Sequence, residues 1–428
     1  MSTNENKGKK AEVTALQAIS AEDRKDWISL AFVQAGICVC VPAFLLGALL
    51  AEAMPIWPAI ISGSLGYLIV VVGMVATGMI GCDLGLASCT CCQAGFGKSG
   101  ARFIVSTIFA VNMIGWFGIQ NGVCGEAFSN AMLAMTGWDI PVVVSNTIWG
   151  IIMLLTAVYG VHALEKLDKI SIPLLMIIMC YGTFLAFKVY GTGNLNDEGT
   201  VQSMSFMSGV ALSFNFTAVG TITGPDYTRF QKSRKDTVKS VFYGVFPMGV
   251  ITLIMGIVLT KLSGQYDISM VLIEVGLPLL GIIALVISTW TTNSTNYSAG
   301  LNIVMALKLK DNRRREATLI SGIVGIVLCD LGILGHIEGV LSLLSYVVCP
   351  VGGVILADYW VVGKGKAKNF RPQDGVNWAG VIAWALGAII SYTLVKIEFV
   401  GIIIGFVIYL IAERFIPSAS RDNAENIA

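Results

Sequence analysis

Charge is what this sequence has least of. Charged residues make up 13% of its 428 positions, where a soluble domain of this size carries about 25%. Charge this sparse, together with repeated long apolar runs, points to a polytopic membrane protein. Histidine is nearly absent. His162 and His336 both fall near ends of predicted helices, so Ser–His–Asp catalysis and His-based metal chemistry are poorly supported. No nucleophile–base pair suggests an enzyme. No acid or base falls at the expected membrane midplane: Asp83, Asp226 and Asp358 sit at inner helix ends, and Glu52, Glu126, Glu274 and Asp330 at or near outer ends. An intramembrane carboxylate would suggest a proton relay or a cationic substrate. Its absence favours a neutral substrate, with any coupling ion held by carbonyls and hydroxyls. The group Cys89-Thr90-Cys91-Cys92 has no histidine nearby and no CxxC pair to complete a metal site. Small apolar filler is the simpler reading, and disulfides are not expected. The net charge of +1 says nothing about partners, and no nucleic acid is expected among them.

Apolar residues are abundant, at 55% with a mean hydropathy of +0.76. About twelve helices are expected, near 28–50, 57–81, 102–134, 140–162, 170–189, 203–224, 240–263, 270–305, 317–335, 339–362, 376–394 and 398–414. If the N-terminus is cytoplasmic, the segments on that side carry all 28 Lys and Arg except Lys188, Lys261 and Lys396. That is a strong positive-inside pattern, and a wrong helix count would scramble it. It places both termini in the cytoplasm of a cell (inner or plasma) membrane. Residues 1–26 read as a polar tail rather than a cleaved signal, 27–415 as one transmembrane domain, and 416–428 as a second tail.

Within the eighth predicted helix, every residue from Ser288 to Ser298 can hydrogen-bond and none is charged. Unpartnered polar groups are costly in hydrocarbon, so this stretch must face helices, an ion, a ligand or water. Ser288, Thr291, Thr292 and Thr295 share one face at i, i+3, i+4, i+7 spacing. Asn293 and Tyr297 point roughly the other way, with Asn296 between. Hydroxyl and carbonyl oxygens suit a hard cation such as Na⁺, and amides suit the donor–acceptor edge of a heterocycle. One threonine could bond its own helix; an unbroken run of eleven such residues asks for more.

The first predicted helix has Gln34, Gly36 and Pro42 near its middle, and the sixth is crowded with Gly, Thr and Asn around Asn215 and Gly220. Interrupted segments at matching positions of two halves point to an inverted-repeat transporter. The halves would be about 28–189 and 203–362, followed by two appended helices over 376–414. In the third helix Trp116 and Gln120 are four apart and share a face. Trp116 lies roughly 21 Å along the helix from Arg102, too deep for an interfacial belt. A ring and an amide on one face suit a flat, polar-edged ligand.

Several segments carry a family resemblance. Pro350 to Trp360, ending Asp358-Tyr359-Trp360, resembles a signature of the nucleobase–cation symporter-1 family. Gly224 to Phe230 is similar to that family's Asp-aromatic-x-Arg-aromatic run. Gly115-Trp116-Phe117-Gly118, Trp290-Thr291-Thr292-Asn293 and Phe96-Gly97-Lys98-Ser99-Gly100 resemble further blocks in the same order. The Trp-Thr-Thr-Asn block is most like the cytosine permease branch.

The resemblance implies a LeuT-like all-α fold with a 5+5 inverted repeat, and symport of a neutral nucleobase by alternating access. By the same resemblance, Trp116 and Phe216 stack on the base from two sides, with Asn215 at its edge. Asn293 bonds it, helped by Asn296, and Gln120 matches a substrate-binding Gln of the hydantoin branch. For Na⁺, the carbonyls of Gly36 and Val39 join Ser288, Thr291 and Thr292. Two cytosine-branch contacts are missing, where this chain has Met113 and Ala218. Related heterocycles (hydantoin, allantoin, thiamine-precursor pyrimidines), H⁺ in place of Na⁺, and a transporter-like sensor remain alternatives. No cofactor is expected. The expected partners are the base, the coupling cation and the lipid bilayer, with the protein acting as a monomer.

Overall fold

The computed structural model describes residues 18–159, 161–196, 204–265, 267–291, 294–310 and 313–416. Among them there is no β-strand; the α-helices follow one another in chain order. They are α1 (Trp27–Cys38), α2 (Val41–Ala53), α3 (Ile56–Leu84), α4 (Ser88–Cys91), α5 (Gln93–Gly100), α6 (Ser106–Thr136), α7 (Val142–Tyr159), α8 (Val161–Tyr190) and α9 (Phe206–Thr217). Then come α10 (Gly220–Thr228), α11 (Arg234–Ser263), α12 (Ile268–Glu274), α13 (Pro278–Thr291), α14 (Ser294–Ala306), α15 (Arg314–Asp330), α16 (Ile337–Leu356), α17 (Trp378–Ile390) and α18 (Val400–Phe415). Among the described residues, seven helical segments are long and apolar enough to cross a membrane, and α1 with α2, bent by 52°, makes an eighth. Of the other four expected ranges, three hold the shorter helices α7, α15 and α18, and that over 270–305 holds α12, α13 and α14 and is described only in part.

The bend between α1 and α2 has an identifiable cause. Pro42 has no N–H to give, so the carbonyl four residues back, on Cys38, is freed. Val39 (φ −93°, ψ 74°) and Cys40 (φ −145°, ψ 159°) leave helical geometry there. Thr252 on α11 donates its Oγ1 to the freed Cys38 carbonyl at 3.2 Å. The sixth expected helix repeats the device. Pro225 frees the carbonyl of Thr221, which accepts from Thr77 Oγ1 on α3 at 2.7 Å. The two interruptions differ in degree. Between α9 and α10, Ala218 and Val219 keep right-handed helical dihedrals. The bonds there only tighten to three-residue spacing, with Thr221 N–H donating to Ala218 O at 3.1 Å. The first helix is opened and the sixth merely pinched.

The expected single helix over 270–305 requires correction. It is interrupted between Glu274 and Pro278. Gly276 takes a left-handed φ of 86° after α12, and Pro278 opens α13, where its missing N–H is harmless. Residues 292–293, inside the polar run, lie outside the described residues.

Small residues let the proline-interrupted helices approach their partners. A Cβ on Gly256 of α11 would collide with the Phe44 carbonyl of α2. A Cβ on Gly66 of α3 would sit 2.6 Å from the Val210 carbonyl of α9. Helices α1–α2, α3, α9–α10 and α11 thus form one tight group, and α6, α7, α14 and α15 a second. Helix α8 rests on α11 and α13, while α16 packs on α17 and α18 and touches α6, α9 and α10. Each interrupted helix is glued to one long helix of the other expected half, as an inverted repeat requires.

The basic end is tied together by the family-like motifs. Arg234 grips Asp83 with Nε at 2.9 and 3.0 Å and Nη2 at 2.5 Å. Tyr359 donates to the same carboxylate at 2.5 Å, and the guanidinium lies 5.0 Å from the Trp360 ring centre. Asp358 accepts from Tyr409 at 2.8 Å. The Phe96–Gly100 motif docks the segment before α17: Lys98 and Ser99 N–H donate to the carbonyls of Gln373 and Gly375, both at 2.8 Å. Gly97 has φ 77°, and a Cβ there would strike the Gly375 carbonyl. These signatures hold the scaffold rather than the site.

Candidate functional site

Helix α6 presents Asn112, Trp116 and Gln120 four residues apart, hence on one face. Trp116 is half-buried, and both amides are buried, at 3% and 5% exposure. The side-chain oxygens of Asn112 and Gln120 have no hydrogen-bond partner among the described residues. Facing them is the end of α9, where the helix is pinched. Phe216 reaches Trp116 with ring centres 6.0 Å apart and planes at 70°, an edge-to-face pair. On either side of Phe216, Asn215 Oδ1 and Thr217 Oγ1 are also buried without partners. Buried polar atoms are usually satisfied, and each exception asks for an explanation. Two aromatic rings thus meet between α6 and α9, and four oxygens on those helices, near the rings in sequence, lack partners among the described residues.

That arrangement suits a flat ligand whose edges donate hydrogen bonds. Apolar contact distances of about 3.5 Å mean that a planar ligand stacked on both rings needs them near-parallel and about 7 Å apart. The observed rings are closer and tilted, so binding requires one ring to rotate and the pair to part by about 1 Å. A cavity of about 430 Å³ between α6, α15 and α16, lined by Val111, Leu328, Val340 and Leu344 with His336 at its edge, is too apolar to offer such edges.

The other expected residues are placed as follows. Gly36 lies on α1, and Val39 caps it at the bend; Gly36 packs on α8, where a Cβ would meet Ile172 at 2.8 Å. Ser288 and Thr291 belong to α13, their side chains outside the described residues. Thr292 and Asn293 lie wholly outside them. The expected hydroxyl face and its Asn therefore lie largely outside the described residues. Asn296 is fully buried but engaged elsewhere. It donates to the Thr318 carbonyl at 3.3 Å and accepts from Ser321 Oγ at 2.8 Å. Its amide secures α14 to α15.

One residue escapes sequence reasoning entirely. Glu398 sits in the connection between α17 and α18, which hydropathy places at the membrane surface. It is 6% exposed. Asn215 Nδ2 donates to its Oε1 at 3.0 Å, and Ser342 on α16 donates to the same oxygen. Next to it, Phe399 packs edge-on against Phe214 of α9 with ring centres 5.6 Å apart. The only sequence signal is an acid inside Lys396-Ile397-Glu398-Phe399-Val400, where a loop tip would be expected to carry it in water.

A family profile described as permease for cytosine/purines, uracil, thiamine, allantoin matches residues 19–413. Cytosine permease of Escherichia coli (strain K12) is 29% identical over 389 residues, covering 89% of each chain. A purine–uracil permease of Arabidopsis thaliana is 25% identical over 415 residues, covering 85% of this chain and 68% of its own. Among solved structures, Mhp1, a nucleobase–cation-symport-1 family transporter in a closed conformation with bromovinylhydantoin bound, superposes with a TM-score of 0.79. It shares 18% identity, with 94% of this chain and 95% of that one covered. At that identity the superposition speaks for the fold, a LeuT-like helical arrangement.

Proposed function

The chain belongs to the family of permeases for cytosine/purines, uracil, thiamine and allantoin, and from that premise we propose that it imports a neutral nucleobase, cytosine or a related pyrimidine or purine, by Na⁺ symport. The observation that carries this reading is the Trp116–Phe216 ring pair flanked by buried, unpartnered oxygens of Asn112, Gln120, Asn215 and Thr217. A nucleobase supplies both what the rings lack, a third flat surface, and what the oxygens lack, N–H donors. Asn293 completes the base edge in this reading.

Sodium binds where α1 opens, held by the carbonyls of Gly36 and Val39 and by Ser288, Thr291 and Thr292. Na⁺ favours the outward-open state, the base enters between the rings, and the site then opens inward. Coupling requires that each ligand tighten the other's binding by the same factor. The basic end faces the cytoplasm of a cell membrane, as the positive-inside rule demands.

The test is a thermal-shift screen of nucleobases on purified protein with and without Na⁺, with hydantoin, allantoin and thiamine-precursor pyrimidines as competitors. A ligand at a hundred times its Kd stabilises by about 2.7 kcal/mol. Stabilisation by a nucleobase, enhanced by Na⁺, is the expected result. Stabilisation only by hydantoin, allantoin or a thiamine precursor would overturn the substrate assignment, and equal stabilisation without Na⁺ would overturn sodium coupling.

A further inference from the structure

Glu398 is a carboxylate buried inside a membrane protein, with no ion pair to it among the described residues. Such a group is expensive to keep and calls for a function. Its position is built rather than accidental. The helix of α17 ends in a wide turn over Ser391–Val395, and Lys396 adopts a left-handed φ of 56°. The chain then turns inward, so that Glu398 and Phe399 grip Asn215 and Phe214 on α9.

We propose that Glu398 is a specificity-determining positioning residue, which fixes the orientation of the Asn215 amide and so the hydrogen-bond polarity of the substrate site. This rests on the nucleobase reading above. An amide can present either its NH₂ or its oxygen, and the two faces are nearly alike in shape. Glu398 Oε1 accepts from Ser342 Oγ and also takes the NH₂ of Asn215, which leaves Oδ1 as the free end, and that oxygen is without a partner among the described residues. The second donor on the same oxygen, Ser342 Oγ, anchors the carboxylate to α16. The site then offers an acceptor beside Phe216. It selects bases that carry an amino group at that edge over bases that carry a carbonyl there, because an acceptor facing an acceptor leaves both unsatisfied. The last two helices, appended to the repeat, thereby take part in selecting the substrate.

The test is the ratio of Kd values for two base pairs that differ by amino against carbonyl, cytosine with uracil and adenine with hypoxanthine. The wild type should prefer the amino member. Glu398→Gln, nearly isosteric, can donate or accept and frees the Asn215 amide to turn. The preference should fall by about tenfold, the size of one unsatisfied buried group. Asn215→Ala, which removes the acceptor, should collapse the same ratio and serves if Glu398→Gln does not fold. A merely structural clamp would weaken all four bases together, and an unchanged ratio in Glu398→Gln and Asn215→Ala overturns the proposal. If the wild type binds none of the four bases, the nucleobase reading itself fails and takes this proposal with it.

Discussion

Replacing Trp116 by alanine removes one of the two rings of the site and should be felt first in base affinity. Stacking of a base on an aromatic side chain is worth about 1–3 kcal/mol by alanine substitution. That corresponds to a loss of about 5- to 150-fold in Kd. The upper end is expected here, because Phe216 has Trp116 as its ring partner at 6.0 Å and would lose its own orientation as well. Trp116 is half-buried against a core that includes Leu46, Tyr67 and Ile119, so some stability is lost too. Trp116→Phe keeps a ring and should retain binding within a few-fold. The assay is equilibrium binding of the radiolabelled base to purified protein, with size-exclusion behaviour as the folding control. An unchanged Kd in a well-folded Trp116→Ala protein would refute the stacking role.

Thr252→Val removes the hydroxyl that caps the carbonyl freed by Pro42; intramembrane hydrogen bonds of this kind are worth about 1 kcal/mol, so melting should fall by about 2 °C, and no fall would show that the bond contributes nothing. Gly256→Ala puts a methyl against the Phe44 carbonyl and should abolish monodisperse protein, while Gly335→Ala, with open space around it, should not. Thr292→Ala should raise the sodium concentration needed for half-maximal stabilisation by about tenfold, the loss of one oxygen ligand; equal sodium response in the variant would remove Thr292 from the ion site.

The helical class was legible because it rests on quantities a sequence displays, scarce charge and one-sided Lys and Arg. The bend at α1 was legible for a similar reason, since Pro42 announces its missing donor. Its resolution was not, because Thr252 lies 210 residues further along and nothing local marks it as the donor. The division of the expected eighth helix at Gly276 and Pro278 was there to be read but was masked by the apolar run around it. Asn296 shows a different limit. Sequence spacing indicates that an amide faces inward, but not which inward neighbour claims it, and Ser321 does. Glu398 marks the same limit from the other side. An acid in a short connection reads as solvated until the chain is seen to fold it back onto Asn215.

Counterflow in proteoliposomes addresses transport itself. Vesicles containing the protein are loaded with unlabelled cytosine and diluted into trace radiolabelled cytosine, with and without Na⁺ on both sides. A nucleobase symporter should accumulate label transiently above equilibrium, and should do so far faster with Na⁺. Binding of cytosine without any counterflow would identify a sensor and contradict the transport assignment, and identical counterflow in the absence of Na⁺ would contradict sodium coupling.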